Sequence, residues 1–436
     1  MRVVVIGGGI TGLTAAYELS NAGHKVVLFE KESDLGGQVR TFTVGDERLE
    51  GFYHHIFTGD VDVIKLIEEL NLQSKMLWID SKVGLYRDGK AYDWVTPLDL
   101  LKFRPLNIIN RVRLGMVSLY LRRYENWHRL EKKTAKAWIT KYGGRRNYEV
   151  VWGPILKNKF GPYSDKVGMV WLWGKLHLRL ASRQGEKERL GYMKGSFGLL
   201  VDALRNRIVA NGGEIYTSSP VEKINMENGK VTGVLVNQHD FSCDTVIAAV
   251  PSPSFLKMIP DMPSEYASNV RSAKYLGAVV LVLTLNKSFS RFYWMNISDM
   301  DSPFVAIIEH TNFVDPSVYG GRHIVYISNY LPVESPLYSM SADRLLSEYW
   351  PHIKKISPDF NVSWIVAMNI FRDDAAQPII GTNYSLHIPA YATPIQGLYL
   401  ANTTQIYPED RGMNYGVRLG RVVAGLVSEY GLKMAG

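Results

Sequence analysis

A single cysteine, Cys243, stands among the 436 residues of the chain. That excludes an internal disulfide, a Cys-x-x-Cys redox pair and a thiolate zinc site, so redox chemistry here needs a cofactor. No run of about 20 apolar residues occurs, which excludes a spanning helix. Between Arg2 and the first glycines stand only Val3, Val4, Val5 and Ile6, too few for a signal-peptide core. The expectation is a cytoplasmic protein, at most peripheral at the inner face of a membrane. Repeats and low-complexity tracts are missing as well, which argues against solenoids and disordered scaffolds. Acidic residues are scarce in one stretch, where residues 101–146 carry thirteen Lys and Arg against Glu125 and Glu131 alone. This segment holds +11 of charge against +8 for the whole chain, so the remainder is slightly acidic.

With 46% hydrophobic residues, the chain can bury a large core and form two or three domains. Residues 2–6 read as a buried strand, and 10–22 as a helix with Leu13, Ala16, Tyr17 and Leu19 at helical spacing. Gly23 closes that helix, and 25–30 form a second strand. Helices are predicted at 61–70 and 199–210. Strands follow at 214–217, 221–225, 231–236 and 245–250, and others at 278–285, 304–309 and 323–330 suit a separate sheet. A strand at 397–401 and a helix at 415–430 end the pattern.

Gly7-Gly8-Gly9-Ile10-Thr11-Gly12 fits G-x-G-x-x-G, follows a strand at once and opens a helix. Gly7 permits a tight turn, Gly9 lets the backbone approach a pyrophosphate, and Gly12 allows close helix–strand packing. The helix start offers free N–H groups and a partial positive charge to a diphosphate. Glu30 ends the second strand, where a carboxylate accepts hydrogen bonds from a ribose and repels a 2′-phosphate, arguing against NADP. Ile10, Thr11 and Lys31 are further candidate contacts. Downstream, Gly36 and Gly37 expose backbone donors, and Arg40 adds a cation.

The run Leu35-Gly36-Gly37-Gln38-Val39-Arg40-Thr41 resembles the second signature of the flavin amine oxidase and protoporphyrinogen oxidase superfamily, where a Gly-Gly turn and an arginine lie along the FAD diphosphate. Gln38 replaces the arginine usual after the glycines, and Arg40 inherits that role. Residues 195–199 (GSFGL), 218–224, 244–251 (DTVIAAVP) and 397–401 (GLYLA) are similar to later signatures in the same order. The resemblance implies that Val221 holds adenine through its backbone and that Asn402 faces the ribityl chain, where the family usually has a carboxylate. It also implies that the Met413 amide faces the flavin pyrimidine. Gly412 stands where classical amine oxidases carry an aromatic cage residue, so oxidation through such a cage is in doubt. The implied fold is α/β: a Rossmann-like FAD-binding domain (1–75, 195–255 and 385–436) interleaved with an α+β substrate domain (76–194 and 256–384). The basic helical segment 101–146 belongs to the latter, and the implied cofactor is FAD, bound non-covalently.

For catalysis the suggestive stretch is Tyr53-His54-His55, in a loop that this superfamily brings to the flavin face. It is also similar to the Gly-Pro-His-Ile-Phe-His loop of UDP-galactopyranose mutase, with His55 on the first histidine. A histidine pair can shuttle protons or bind a phosphate. Arg411 can contact substrate or pair with Asp410. Lys159 and Arg179, among Trp152, Trp171, Trp173 and His177, suit an anionic or lipid-like substrate, although tryptophans at 171 and 173 are more often core. Arg372-Asp373-Asp374 reads as a structural turn. Residues 107–124, apolar and interrupted by arginines, fit either a helix lying on anionic lipid or a core helix with a solvated basic edge; the core helix is favoured. No nucleic-acid motif accompanies the charge.

The reading is an FAD-dependent oxidoreductase of oxidase, dehydrogenase or desaturase type that takes hydride from a C–C or C–N bond of a small substrate onto flavin N5. Two alternatives stand beside it: a redox-neutral sugar-nucleotide mutase, and a membrane-associated flavoprotein without catalysis of its own. Oligomeric state is left open.

Overall fold

Strand β1 (Arg2–Ile6), helix α1 (Ile10–Asn21) and strand β2 (Lys25–Phe29) form where the patterning places them. A computed structural model describes the backbone of residues 1–181, 183–184 and 187–435. β1 lies inside a five-stranded parallel sheet with β3 (Glu214–Tyr216), β4 (Thr245–Ala248) and β5 (Leu398–Leu400), in the order β3-β2-β1-β4-β5. Both faces of the sheet are covered, which is why Val3, Val4, Val5 and Ile6 are all buried and β1 reads as an unbroken apolar run. One sheet thus draws its strands from three distant stretches of chain. The strand order reverses between β1 and β4, where open α/β sheets bind ligands at the carboxyl ends of their strands.

The helix Met413–Ala435 packs on α1 through two glycines. A Cβ on Gly420 would lie 2.6 Å from the Thr11 carbonyl oxygen, and one on Gly416 would lie 3.2 Å from Thr11 Oγ1. This close crossing brings the start of the final helix beside the start of α1.

A second sheet of seven strands runs in the order Ile365–Pro378, Tyr275–Leu285, His323–Leu331, Ala306–Glu309, Trp294–Ile297, Val83–Arg87, Lys90–Asp93. Tyr275–Leu285 lies between two long neighbours, and its side chains from Leu276 to Leu285 are buried. Arg372, Asp373 and Asp374, expected in a turn, lie within the strand Ile365–Pro378 at a register shift against Tyr275–Leu285. The shift supplies the irregularity that their polar run suggested.

After the strand Lys90–Asp93 the chain forms a helical region with its own core, including Leu114, Leu121, Trp138, Phe160, Trp171 and Trp173. Helix Ile108–Arg123 departs from the core-helix expectation. It buries only Leu114 and Leu121, and turns Ile109, Val112, Met116, Leu119 and Tyr120 to solvent. Its apolar residues form two stripes, and one neighbouring surface covers only one of them. No helix among the described residues is long and apolar enough to cross a membrane.

Candidate active site

The glycine turn leaves β1 with Gly7 at φ +104°, a conformation that disfavours side chains. A Cβ on Gly7 would meet the Ala249 carbonyl oxygen at 2.6 Å, and one on Gly12 would meet the Gly7 carbonyl oxygen at 1.9 Å. Gly9 differs: a Cβ there meets nothing within 4 Å, so the space in front of it is open. No side chain caps α1 at Gly9 and no acidic residue occupies its first turn, which leaves its leading N–H groups to an outside acceptor. Gly36 pairs with this turn, its N–H donating to the Gly8 carbonyl at 2.8 Å. Glu30 is buried and accepts from Gly8 N at 2.6 Å and Glu32 N at 2.9 Å. The segment around Ser219, two residues before Val221, is tied to Glu30 by backbone bonds. An open, donor-rich turn beside a carboxylate fits the diphosphate and ribose of a dinucleotide.

Lys31, Arg40 and Asn402, further expected contacts, also have partners within the protein. Lys31 is exposed and lies 3.3 Å from Glu32, and Arg40 lies 3.8 Å from the same carboxylate. The Asn402 amide accepts from Thr404 N and donates to the Val250 carbonyl, clipping the ends of β5 and β4 together.

Gln38, next after Gly37, leads away from the turn. Its Nε2 donates to Asp373 at 3.0 Å, and its Oε1 accepts from Arg411 at 3.1 Å. Arg411 also donates to Gln377 Oε1 at 3.2 Å and to the Tyr330 hydroxyl at 2.8 Å. The Tyr330 hydroxyl lies 3.3 Å from that of Tyr53, so one polar chain links the glycine turns to the Tyr53-His54-His55 loop. His54 Nδ1 lies 2.7 Å from the Phe52 carbonyl oxygen, which can only accept. The neutral His54 ring therefore carries its proton on Nδ1 and offers a bare Nε2. His55 Nδ1 bonds the Tyr293 hydroxyl at 2.9 Å.

Asp410 anchors the cations. Its buried carboxylate lies 2.7 Å from Lys175 and 3.5 Å from Lys159, whose ammonium also stands over the rings of Trp171 and Tyr330. Arg411 follows Asp410 in sequence but bonds neutral partners, so the two lysines contact the Asp410 carboxylate while Arg411 acts on it only through its field. Arg179 is placed differently, 2.8 Å from the buried Glu188 and against Trp294.

These surroundings set the protonation states. Burial pushes His54 down to about 4, with Arg411 adding to the fall against the Phe52 carbonyl. Burial, then Arg179 and His54, take His55 to about 3. Both imidazoles are neutral near pH 7. Burial also lowers Lys159 to about 8, against the opposing pull of Asp410. Burial alone would raise Asp410, but Lys159, Lys175 and Arg411 hold its carboxyl well below the usual carboxylate range. Burial would raise the Tyr330 phenol too, yet Arg411 and Lys159 bring it below its ordinary value, while burial and Tyr330 push Tyr53 well above.

The model of the flavin containing amine oxidoreductases matches residues 10–423. The chain belongs to that family. Among the relatives of this flavoprotein is the 4,4'-diapolycopene oxygenase of a Methylomonas species, 24% identical over 419 residues, covering 82% of this chain and 76% of that one. An L-amino-acid oxidase of Bothrops jararacussu is 46% identical over 318 residues, covering 66% of this chain and 61% of that one. The solved structure of reduced UDP-galactopyranose mutase superposes with a TM-score of 0.75 at 15% identity, covering 98% of this chain and 96% of that one, a likeness of fold alone. The flavoprotein is an FAD-dependent oxidoreductase, as its motifs implied, and the mutase alternative is not favoured.

Of the residues expected near substrate in this oxidoreductase, Tyr53, His54, His55, Lys159 and Arg411 converge, whereas Trp171 and Trp173 are core. Sequence reasoning missed Lys175, Tyr330 and Gln377, and left Asp410 as a partner for Arg411 rather than for the lysines. Lys175 had a signal, since Trp171, Lys175 and Arg179 recur every four residues on the helix Met169–Ala181. Tyr330 and Gln377 carry none, because their role depends on strands that meet only in the folded sheet. A cavity of about 530 Å³ lined by Arg87, Asp299, Asp301 and Lys355 includes none of these residues.

Proposed function

We propose that this oxidoreductase oxidises a C–C or C–N bond of a small substrate bearing a carboxylate or phosphate, which Lys159, Lys175 and Arg411 receive beside Tyr53, His54 and His55. The observation that carries this reading is the clustering of charge: Lys159 and Lys175 share the one carboxylate of Asp410, and Arg411 beside it bonds only neutral groups, so an anionic ligand would relieve their mutual repulsion. FAD would be held without a covalent bond by the N–H groups around Gly7, Gly9, Ile10, Thr11 and Gly12, with Glu30 at the ribose and Gly36, Gly37 and Arg40 along the diphosphate. Lys31, Gln38, Val221, Asn402 and Met413 complete that set. When bound, the cofactor supplies the electron sink that the side chains lack.

The residues then divide the remaining work. Lys159, Lys175 and Arg411 hold the anion, with Asp410 keeping the two ammonium groups in place. His54, neutral with a bare Nε2, offers a hydrogen-bond acceptor beside the bound substrate. Tyr53 and Tyr330 form a hydroxyl path from that loop toward Arg411. Arg179, paired with Glu188, lines the wall rather than binding the anion itself. Peripheral attachment to a membrane belongs to the same reading.

The test is anaerobic mixing of the FAD-loaded protein with small amino acids, hydroxy acids and phosphate esters, following the flavin absorbance. Bleaching without added reductant is expected with an anionic substrate, and Lys175→Met should raise its KM. Turnover only after dithionite reduction would overturn the oxidase reading in favour of the mutase.

A further inference from the structure

Eight of the 21 large apolar side chains that stand exposed among the described residues lie between Leu98 and Tyr120. On helix Ile108–Arg123 they fall at Ile109, Val112, Met116 and Leu119, spaced by three, four and three residues, which places them on one face. Ile109 is 75% exposed and Met116 59%. The opposite stripe, Leu114 and Leu121, is buried in the helical core, so the helix is anchored and its outer face is spare. Helix Pro97–Lys102 packs alongside and extends the patch with Leu98 and Leu101. A contiguous apolar face of this kind marks an interaction surface.

Its border is cationic. Lys102, Arg104, Arg122 and Arg123 are exposed, and among the described residues none has a carboxylate within ion-pair distance. Arg111 and Arg113 donate to backbone carbonyls, which leaves their charge without a counterion in contact. The one acid of the two helices, Asp99, is committed to capping, accepting from Thr96 N at 2.8 Å and Val95 N at 3.1 Å. At one end of the stripe, Tyr120 and Tyr142 stand half-exposed against Trp138, each with a polar hydroxyl on an apolar ring. Apolar side chains in the middle, amphipathic aromatics at the edge and unpaired guanidinium groups around them are arranged as a bilayer is layered, from acyl chains to phosphate.

We propose that the face of Pro97–Lys102 and Ile108–Arg123 docks this protein on an anionic phospholipid bilayer, inserting Leu98, Ile109, Val112 and Met116 while Lys102, Arg104, Arg122 and Arg123 meet the lipid phosphates. The proposal rests on the reading of the protein as peripheral and is independent of the bond that the flavin oxidises. The helix carrying Lys175 packs against Ile108–Arg123, so the docked face lies one helix from Lys175.

The test is flotation of the FAD-loaded full chain with phosphatidylcholine vesicles that do or do not contain phosphatidylglycerol. Binding is expected only to the anionic vesicles. Arg122→Gln with Arg123→Gln should weaken partitioning about fivefold per charge, and Ile109→Asp with Met116→Asp by on the order of a hundredfold. Flavin absorbance and turnover of a soluble substrate without vesicles should stay unchanged in both pairs, which keeps a docking failure distinct from a failure of the oxidase reading. Absence of flotation, equal flotation on neutral vesicles, or flotation that survives Ile109→Asp with Met116→Asp would each overturn the proposal. So would a dimer in sedimentation that the same pair abolishes, since a second copy of the chain would then cover the face.

Discussion

Gly9 and Gly12 sit three residues apart in one turn, yet their replacement by alanine should have opposite consequences. At Gly12 the added methyl would lie 1.9 Å from the Gly7 carbonyl oxygen and 3.3 Å from the Ala249 Cβ. The first neighbour is backbone and the second a side chain too short to swing aside, so β1, α1 or the Ala249 segment must shift. Overpacking of that kind costs about 3 kcal/mol, which lowers Tm by roughly 3 °C if a chain of this length unfolds as one unit. At Gly9 the methyl meets nothing within 4 Å, and φ of −72° suits any residue. Gly9→Ala should therefore leave the FAD-free protein as stable as wild type. It should instead obstruct the diphosphate, and loss of about 3 kcal/mol of charge-assisted hydrogen bonding weakens FAD roughly a hundredfold. Thermal melts of the cofactor-free proteins, followed by FAD titration, separate the two effects. At saturating FAD for the wild type, Gly9→Ala should forgo about 2.7 kcal/mol of cofactor-linked stabilisation. Wild-type FAD affinity in Gly9→Ala, or a cofactor-free melt as depressed as that of Gly12→Ala, would refute the reasoning.

Asp410→Asn should cost about 3 kcal/mol, toward the low end for a buried pair because Lys175 is 39% exposed at its side chain. Since Asp410 raises Lys159, the same change should move the Lys159 titration from about 8 to lower pH, read as a downward shift of the basic limb in the pH dependence of KM. His54 and His55, held near 4 and 3, should put no limb between pH 6 and 8 into kcat/KM. In the unfolded chain they take up protons below about 6.5, so the native state should lose stability as pH falls from there toward 4, and His55→Gln should lose less in acid denaturation. Arg411→Lys cannot keep three bonds to Gln38, Gln377 and Tyr330 at once, and kcat/KM should fall roughly a hundredfold. An unchanged value would remove Arg411 from the site.

Local patterning made the dinucleotide fold of this protein legible. The glycine spacing at Gly7–Gly12, the acid at Glu30 and the second turn at Gly36-Gly37 are short-range features, because a dinucleotide fold places phosphate and ribose contacts within one strand–helix–strand unit. Their order along the chain was enough to reach a flavin-dependent oxidoreductase. The proposed substrate site was legible only in fragments. Tyr53, His54, His55, Lys159 and Arg411 could be nominated from residue type, but their assembly depends on Tyr330 and Gln377 arriving on separate strands and on Asp410 turning to the lysines rather than to its neighbour. Helix Ile108–Arg123 shows the same limit. Its sequence contains both apolar stripes, and nothing in that sequence tells which one the protein covers. Only the packed structure decides, because burial is a property of what lies opposite a side chain, and the residues opposite come from elsewhere in the chain.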